Sequence, residues 1–217
     1  DMKAAARTTV NALSVRVFDV VADVAQELGK DAAEVQDYTT RAENLKKTMN
    51  EKLITEDGVY CDGLMSDGTQ STHNGQHSTS YALAFGIAPE DKIDSMVDYV
   101  ASMGMKQGPM TADILVQALF DNGRADAALK LLTNTEDYGW AQLIDQYDAT
   151  FTWEQWQHGE SQSHGWGAAA GAEMLENILG VTVTEAGAKT VTIDPARDIL
   201  DHAEGRFATE RGFVEVA

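Results

Sequence analysis

A glutamate between two tryptophans is the part of this chain best suited to chemistry. Glu154 lies between Trp153 and Trp156, and His164 follows ten positions after the glutamate. Aromatic faces pack against the apolar faces of sugar rings, while carboxylates and imidazoles form hydrogen bonds with sugar hydroxyls. The pattern is therefore typical of a carbohydrate site, with Glu154 as the catalytic candidate. The substrate-binding candidates are His164, Trp153, Trp156 and Trp140.

Each of these residues also has an ordinary structural interpretation. A glutamate such as Glu154 between helices is often a surface or capping carboxylate, and a histidine such as His164 at a helix start is often a cap. All four tryptophans fall between positions 140 and 166, and tryptophans are also common in protein cores. We expect one or two of them to line the site and the others to pack in the core.

A second pair of histidines has the spacing of a zinc site on one helix face. His73 and His77 are four residues apart, but Asn74 and Gly75 between them disfavour a helix, and no third ligand is close in sequence. We expect His77 to face the substrate instead. The acidic residues around Glu154 lack the alternating spacing of a calcium loop, and no phosphate-binding glycine loop occurs. The sequence thus predicts neither a metal nor a cofactor.

The charge balance excludes several classes of partner. The 217 residues include 35 acidic and 16 basic side chains, which gives a formal net charge of -19. Such a chain repels nucleic-acid phosphates and anionic lipid surfaces, and no apolar run approaches the roughly 18 residues of a membrane span. We therefore expect no nucleic-acid partner and no membrane partner. The single Cys61 fits a reducing, cytoplasmic compartment slightly better than a secreted one.

Hydrophobic spacing predicts a chain made mainly of helical hairpins up to residue 180. The first helix, within residues 3–28, has an apolar face of Val10, Leu13, Val17, Val20, Val21, Val24 and Leu28. A second helix opens near Asp31 and continues to Leu53. Further helices are predicted at about 77–86, 90–103, 110–121, 124–133, 140–145 and 164–179, the last of them opened by His164.

After Gly180 the pattern changes to short strands. These are predicted at Val181–Val183, residues 189–193, residues 202–209 and Gly212–Val216. The last strand would be left as an exposed apolar edge. We therefore expect these 217 residues to be a piece of a longer protein.

Several segments, taken together, resemble one enzyme family. They are residues 82–87, residues 123–132, the run Thr150-Phe151-Thr152-Trp153-Glu154-Gln155-Trp156, the run Ser163-His164-Gly165-Trp166-Gly167, and residues 178–181. Their order and spacing are similar to those of the α-L-rhamnosidases of glycoside hydrolase family 78. The resemblance implies that residues 1–180 are the C-terminal part of an (α/α)6 catalytic barrel, a partial toroid of helical hairpins. It implies that residues 181–217 begin a C-terminal β-sandwich.

The same resemblance implies inverting hydrolysis of terminal α-L-rhamnosyl bonds in a rhamnose-containing glycoside or oligosaccharide. By position it assigns the general base to Glu154 and a contact with the bound sugar to His164. The family's general acid lies upstream of the first helix, so we expect the isolated chain to be inactive without the missing N-terminal half of the same polypeptide. An incomplete toroid exposes an apolar seam, which makes a homodimer a further expectation.

Two alternatives stay open from the sequence. One is a non-catalytic carbohydrate-binding module, which keeps the aromatic sugar contacts without an acid and predicts binding without turnover. The other is an (α/α)6 glycosidase with a different sugar specificity, which substrate profiling separates from an α-L-rhamnosidase.

Overall fold

The structure is a computed structural model that describes residues 3–217. It is mainly helical, as the hydrophobic spacing predicts, and its described strands are short. The chain divides between Met103 and Gly104 into two compact units. None of the described helices combines the length and the hydropathy needed to cross a membrane.

The first unit begins with a helical hairpin. In its described part the elements are, in chain order, β1 (Ala6–Arg7), α1 (Thr8–Glu27), α2 (Ala32–Leu53), β2 (Gly63–Leu64), α3 (Gln76–Ala84), the 3₁₀ turn Glu90–Lys92 and α4 (Ile93–Ser102). Gly29 supplies the positive φ that ends α1, and α1 and α2 then pack along their lengths. Their buried residues include Val15 on α1 and Met49 and Leu53 on α2. The predicted hairpin is therefore present.

The most apolar side of α1 is open to solvent. Val10, Val17, Val24 and Leu28 are between 51% and 68% exposed. The buried side of the helix consists instead of smaller residues, namely Thr8, Ala12, Val15, Ala22 and Ala25. The hydrophobic period thus locates the helix correctly, but the residues described here leave its apolar face uncovered.

The polar residues of α3 are buried and hydrogen-bonded. Gln76 Nε2 donates to the carbonyl oxygen of Val100 at 2.8 Å, and Thr79 Oγ1 accepts the N–H of Tyr60 at 3.1 Å. Such bonds remove the cost of burying polar groups and tie α3 to α4 and to the segment before β2. The first turn of α3 is therefore held in a fixed position.

A close backbone approach fixes the segment that follows α2. Strands β1 and β2 pair antiparallel, with Arg7 opposite Gly63. Gly63 has a φ of 153°, and a Cβ there would lie 2.2 Å from the carbonyl oxygen of Ala6, so this position requires glycine. The adjacent Asp62 accepts the N–H of Thr8 through its carbonyl oxygen at 2.9 Å. The pairing therefore holds Asp62 at the start of α1.

The second unit contains a helical region followed by short strands. Its elements are α5 (Pro109–Asp121), α6 (Ala125–Thr133), α7 (Trp140–Tyr147), the 3₁₀ turn Gly165–Gly167, α8 (Ala169–Glu173), the π-helical turn Met174–Ile178, β3 (Val181–Val183), the 3₁₀ turn Ala186–Ala188, β4 (Val191–Ile193), β5 (Gly205–Thr209) and β6 (Gly212–Val216). Buried residues of the first three helices, such as Leu115, Leu131 and Leu143, form the core of this unit. These helices lie close to their predicted ranges.

The last predicted helix, over residues 164–179, is wrong as a single element. His164 precedes a three-residue 3₁₀ turn, α8 has only five residues, and a π-helical turn follows it. Gly165, Gly167 and Gly171 weaken a continuous helix because glycine loses more backbone entropy on ordering than other residues. His164 therefore does not open a long regular α-helix.

The strands after residue 180 form two separate antiparallel pairs, β3 with β4 and β5 with β6. Gly180 has a φ of 77° before β3, and a Cβ there would lie 2.2 Å from the nitrogen of Pro195. Only glycine fits this close approach, which joins the helical region to the strands. The assignment of residues 181–217 to the start of a β-sandwich stays a prediction.

Candidate active site

The loop between α7 and the 3₁₀ turn folds back on itself and brings Glu154 beside His164. Asp148 ends α7 in the left-handed conformation, which turns the chain into the loop. The carbonyl oxygen of Thr152 accepts the N–H of His164 at 2.7 Å, and that of Ser161 accepts the N–H of Glu154 at 2.9 Å. These two backbone bonds convert a ten-residue separation into direct proximity.

The Glu154 carboxylate is open and weakly held. Its side chain is 33% exposed, and Oε2 accepts the N–H of Ser161 at 3.3 Å. The same oxygen lies 3.8 Å from Nδ1 of His164. A carboxylate with few internal hydrogen bonds can accept a proton from a water molecule, because its lone pairs are not already committed.

The His164 ring lies next to this carboxylate. Its Nδ1 atom is buried and has no hydrogen-bond partner among residues 3–217. The 3.8 Å distance to Glu154 is about 0.6 Å longer than the upper end of the usual N–H···O range, so the two groups lie close together without a hydrogen bond. With Nδ1–H directed at Glu154, Nε2 is left as an acceptor.

Three of the four tryptophans are buried, each with more than nine-tenths of its surface covered. The indole N–H of Trp140 donates to the carbonyl oxygen of Gly167 at 2.6 Å, and that of Trp156 donates to Gln107 at 2.7 Å. The Trp140 and Trp156 rings meet edge to face, with centroids 5.1 Å apart, while Trp153 stacks on Tyr147. For Trp140 and Trp153 the structure favours packing over the predicted sugar contact.

Trp156 additionally lines a cavity of about 390 Å³. The other lining residues are Met105, Lys106, Gln107, Gly108, Tyr138, Gln155 and Gln157. The side-chain amides of Gln155 and Gln157 and the exposed phenol of Tyr138 provide both donors and acceptors. Substrate contact by Trp156 at this cavity stays a prediction.

Of the glycines that follow His164, Gly167 is the one in a close-packed position. A Cβ at Gly167 would lie 3.1 Å from Cβ of Thr152 and 3.2 Å from the carbonyl oxygen of Trp153. The 3₁₀ turn therefore lies directly against the two residues that precede Glu154.

Trp166 was missed as a candidate. Its indole is 42% exposed and stacks on the His164 ring, with centroids 4.1 Å apart and planes inclined by 29°. The signal lay in Gly165 and Gly167, which have no side chains to cover the indole between them. Trp166 thus supplies the exposed aromatic surface expected of the other tryptophans.

His77 does not belong to the Glu154 loop. It lies in the first turn of α3 and lines a separate cavity within the first unit. In the part of the chain described, no group of three or more His, Cys, Asp or Glu side chains is arranged to hold a metal ion. The Glu154 loop therefore offers a carboxylate, an imidazole and an exposed indole.

Comparison with known proteins identifies the family of the chain. A family model described as the bacterial alpha-L-rhamnosidase 6 hairpin glycosidase domain matches residues 1–178. An alpha-L-rhamnosidase of Streptomyces avermitilis is 26% identical over 194 residues, covering 82% of this chain and 17% of that protein. Glu154 and His164 lie within the residues that the family model matches.

Solved structures share the fold. The alpha-L-rhamnosidases of Dictyoglumus thermophilum and Aspergillus terreus superpose with TM-scores of 0.78 at 22% and 20% identity, covering 93% of this chain and 23% and 24% of theirs. The Streptomyces avermitilis alpha-L-rhamnosidase complexed with L-rhamnose superposes with a TM-score of 0.76 at 25% identity, covering 94% of this chain and 20% of that one. The chain thus spans between 17% and 24% of the length of these relatives. The predicted fold class, mainly α and built from the hairpins of an (α/α)6 glycosidase, is confirmed, and the chain belongs to the bacterial α-L-rhamnosidase six-hairpin glycosidase family.

Proposed function

We propose that this chain is part of an inverting α-L-rhamnosidase that acts on a rhamnose-containing glycoside or oligosaccharide. The observation that carries the proposal is the open carboxylate of Glu154, 3.8 Å from His164, in a domain of this family. The names of the relatives support the rhamnosyl specificity, as does the complex of one of them with L-rhamnose.

Glu154 acts as the general base in this proposal. Its carboxylate takes a proton from a water molecule as the water attacks the anomeric carbon from the face opposite the leaving group. Inversion requires a second carboxyl group about 6.5–9.5 Å away, protonated so that it can donate to the departing oxygen. We expect that acid to be upstream, in the missing N-terminal half of the same polypeptide.

In the same proposal His164 positions Glu154 and contacts the sugar, and Trp166 contacts the sugar. The His164 Nδ1–H closes onto Glu154 when the site is occupied, and Nε2 accepts a hydrogen bond from a sugar hydroxyl. The exposed face of Trp166 packs against apolar C–H groups of the ring. In this proposal Trp140 and Trp153 hold the loop in place by packing, and Trp156 contacts the substrate in the cavity that it lines.

The open face of α1 fits the same proposal. Its exposed Val10, Val17, Val24 and Leu28 form an apolar surface of the kind that other helices of a toroid cover. Residues 1–180 are then the C-terminal part of the barrel, and residues 181–217 begin the next domain. A homodimer that buries this face is the competing outcome, which sedimentation of the 217-residue chain distinguishes from a monomer.

The test is hydrolysis of a chromogenic α-L-rhamnoside by the 217-residue chain and by the longest open reading frame that encodes it. We expect activity in the longer protein only, with the β-anomer as the first product in the proton NMR spectrum. Binding of L-rhamnose without turnover in either protein would favour a non-catalytic module. Turnover of another glycoside in place of the rhamnoside would show an (α/α)6 glycosidase with a different sugar specificity.

A further inference from the structure

Thr152 holds the backbone of His164 at two points. Its carbonyl oxygen accepts the N–H of His164 at 2.7 Å, and its hydroxyl Oγ1 donates to the carbonyl oxygen of His164 at 2.5 Å. The two bonds lie on either side of the His164 Cα atom and therefore restrict both of the peptide groups from which the imidazole projects. One threonine side chain thus completes the connection between the two ends of the Glu154 loop.

The threonine hydroxyl is the closer of two donors to the His164 carbonyl oxygen. The other donor is the N–H of Gly167 at 3.3 Å, slightly beyond the usual N–H···O range of about 2.7–3.2 Å. The carbonyl oxygen of Gly167 in turn accepts the buried indole N–H of Trp140 at 2.6 Å, which fixes the far end of the 3₁₀ turn. Without the hydroxyl, the His164 carbonyl oxygen would keep the longer of these two bonds.

Packing also restricts the position of Thr152 relative to Glu154. The residue between them, Trp153, is 4% exposed and stacks on Tyr147 with ring centroids 5.5 Å apart. A buried and closely packed indole leaves this short segment little freedom to move. A movement of His164 relative to Thr152 therefore changes the distance, 3.8 Å in this structure, between His164 Nδ1 and Glu154 Oε2.

We propose that Thr152 is a positioning residue of the candidate active site, whose hydroxyl holds His164 so that the imidazole lies beside Glu154. In this role Thr152 acts through His164 rather than on the substrate. The expected effect on turnover rests on the proposed function, whereas the hold of Thr152 on His164 does not.

Three substitutions at Thr152 separate the hydroxyl from the rest of the side chain. Thr152→Ser keeps the donor, and Thr152→Ala removes it without adding bulk. Thr152→Val replaces it with a methyl group, which needs about 3.3 Å or more from a carbonyl oxygen and so pushes the His164 carbonyl away from its 2.5 Å contact. The displacement of His164 should therefore be smallest in Thr152→Ser and largest in Thr152→Val.

The indole of Trp166 makes the position of the His164 ring measurable. The two rings are stacked with centroids 4.1 Å apart, and the magnetic field of an aromatic ring changes steeply over such a distance. The Cε1–H signal of His164 in a carbon–proton correlation spectrum of the 217-residue chain therefore moves when the imidazole moves. We expect this signal to shift in Thr152→Ala, to shift further in Thr152→Val, and to stay close to its wild-type position in Thr152→Ser.

Two controls accompany the spectrum. Thr150→Val is the matched variant, because Thr150 is exposed two positions earlier on the same loop, and it should leave the His164 signal in place. The signal of His202, which lies 3.5 Å from the carboxylate of Glu204, should stay fixed in every variant and shows that the chain is folded. If Thr152→Val does not fold, the comparison of Thr152→Ala with Thr152→Ser decides the outcome.

Kinetics of the longer protein test the step from position to turnover. Thr152→Ala should lower kcat/KM for a chromogenic α-L-rhamnoside by about 5–10-fold, the loss expected for one hydrogen bond, and Thr152→Ser should restore it to within about twofold. In a His164→Ala background Thr152→Ala should lower kcat/KM no further, because the imidazole that the hydroxyl positions is already missing. An equal loss in both backgrounds would mean that Thr152 supports the fold in general, which would overturn the positioning role.

The outcomes separate this inference from the proposed function. A His164 signal that stays in place in both Thr152→Ala and Thr152→Val would overturn the hold of Thr152 on His164. A shifted signal with unchanged kcat/KM in an active longer protein would overturn the positioning role and leave the proposed function standing. If the longer wild-type protein hydrolysed no α-L-rhamnoside, the proposed function would fail, while the His164 signal would still decide whether Thr152 holds His164.

Discussion

Each unit holds a carboxylate in a polar cluster, and the two carboxylates are held differently. Asp62, 10% exposed, accepts from Gly75 and Ser78 and pairs with His73 at 2.6 Å. Glu154, 33% exposed, accepts from one N–H at 3.3 Å and stands 3.8 Å from its histidine. A carboxylate with several strong donors is fixed, whereas one with few can take up a proton and move. The structure therefore fixes the Asp62 carboxylate in place and leaves the Glu154 carboxylate open, as the proposed general base requires.

The largest effect expected from this contrast is on turnover. In the longer protein that the proposed function requires, Glu154→Gln should lower kcat by roughly 10²–10⁴-fold, the range for loss of a general base. KM should change much less than kcat, because a general base acts in the chemical step rather than in substrate binding. Steady-state hydrolysis of a chromogenic α-L-rhamnoside measures both constants.

Glu160→Gln is the matched control for this substitution, since Glu160 is exposed on the same loop. It should leave kcat unchanged. If Glu154→Gln kept most of its turnover, the base would have to be elsewhere, and the distinction between the two carboxylates would fail.

A third carboxyl group extends the comparison to deep burial. Glu173 is 4% exposed, and burial together with the neighbouring carboxylate of Asp113 raises its pKa to about 8. Asn177 Nδ2 donates to it at 2.7 Å, but this one bond does not offset the burial. Glu173 is therefore protonated in the folded protein at neutral pH and ionised in the unfolded chain.

This raised pKa predicts a loss of stability as pH rises. Between the unfolded value, about 4.5, and the folded value, about 8, the folded state binds more protons than the unfolded state. Each pH unit in that window should lower the free energy of unfolding by at most about 1.4 kcal/mol. Glu173→Gln, whose amide still donates, should remove this dependence in urea unfolding from pH 5 to about 8. Parallel pH profiles for wild type and Glu173→Gln would contradict a protonated Glu173.

The proximity of Glu154 and His164 could be anticipated from the sequence because it is local, whereas their roles stay predictions. Glu154 and His164 lie in one segment, and hydrophobic period located most helices to within a few residues. Local spacing could not predict the burial of Trp156, because its indole N–H donates to Gln107, which is 49 positions away in the sequence. Asp62 was missed for the same reason, because its donors lie 11 to 16 residues later and meet it only after α3 packs. The hydrophobic spacing located α1. It could not show which side of the helix is buried, because that depends on the elements that pack against it.

The comparison also predicts unequal effects on stability. Asp62→Ala leaves the N–H of Gly75 and the hydroxyl of Ser78 without their acceptor in a mostly buried place. It should lower the free energy of unfolding by about 1–3 kcal/mol. Glu154→Ala removes a single weak bond at a more exposed position and should change stability by no more than about 0.5 kcal/mol. Urea unfolding of the 217-residue chain measures both, and equal losses would mean that Glu154 is as firmly held as Asp62.

The smallest expected effect concerns how the Glu154 segment is supported. Gly167→Ala places a Cβ 3.1 Å from Thr152 and 3.2 Å from the Trp153 carbonyl oxygen, while Gly171 in α8 has nothing within 4 Å of such a Cβ. We expect Gly167→Ala to destabilise by about 1 kcal/mol, at the low end of overpacking costs. Gly171→Ala should stabilise by up to about 1 kcal/mol, because alanine favours the helix. Thr152 and Trp153 precede the base directly, so Gly167→Ala should also lower kcat in the longer protein, whereas Gly171→Ala should not. If both variants unfolded and turned over alike, close packing at Gly167 would have no part in positioning Glu154.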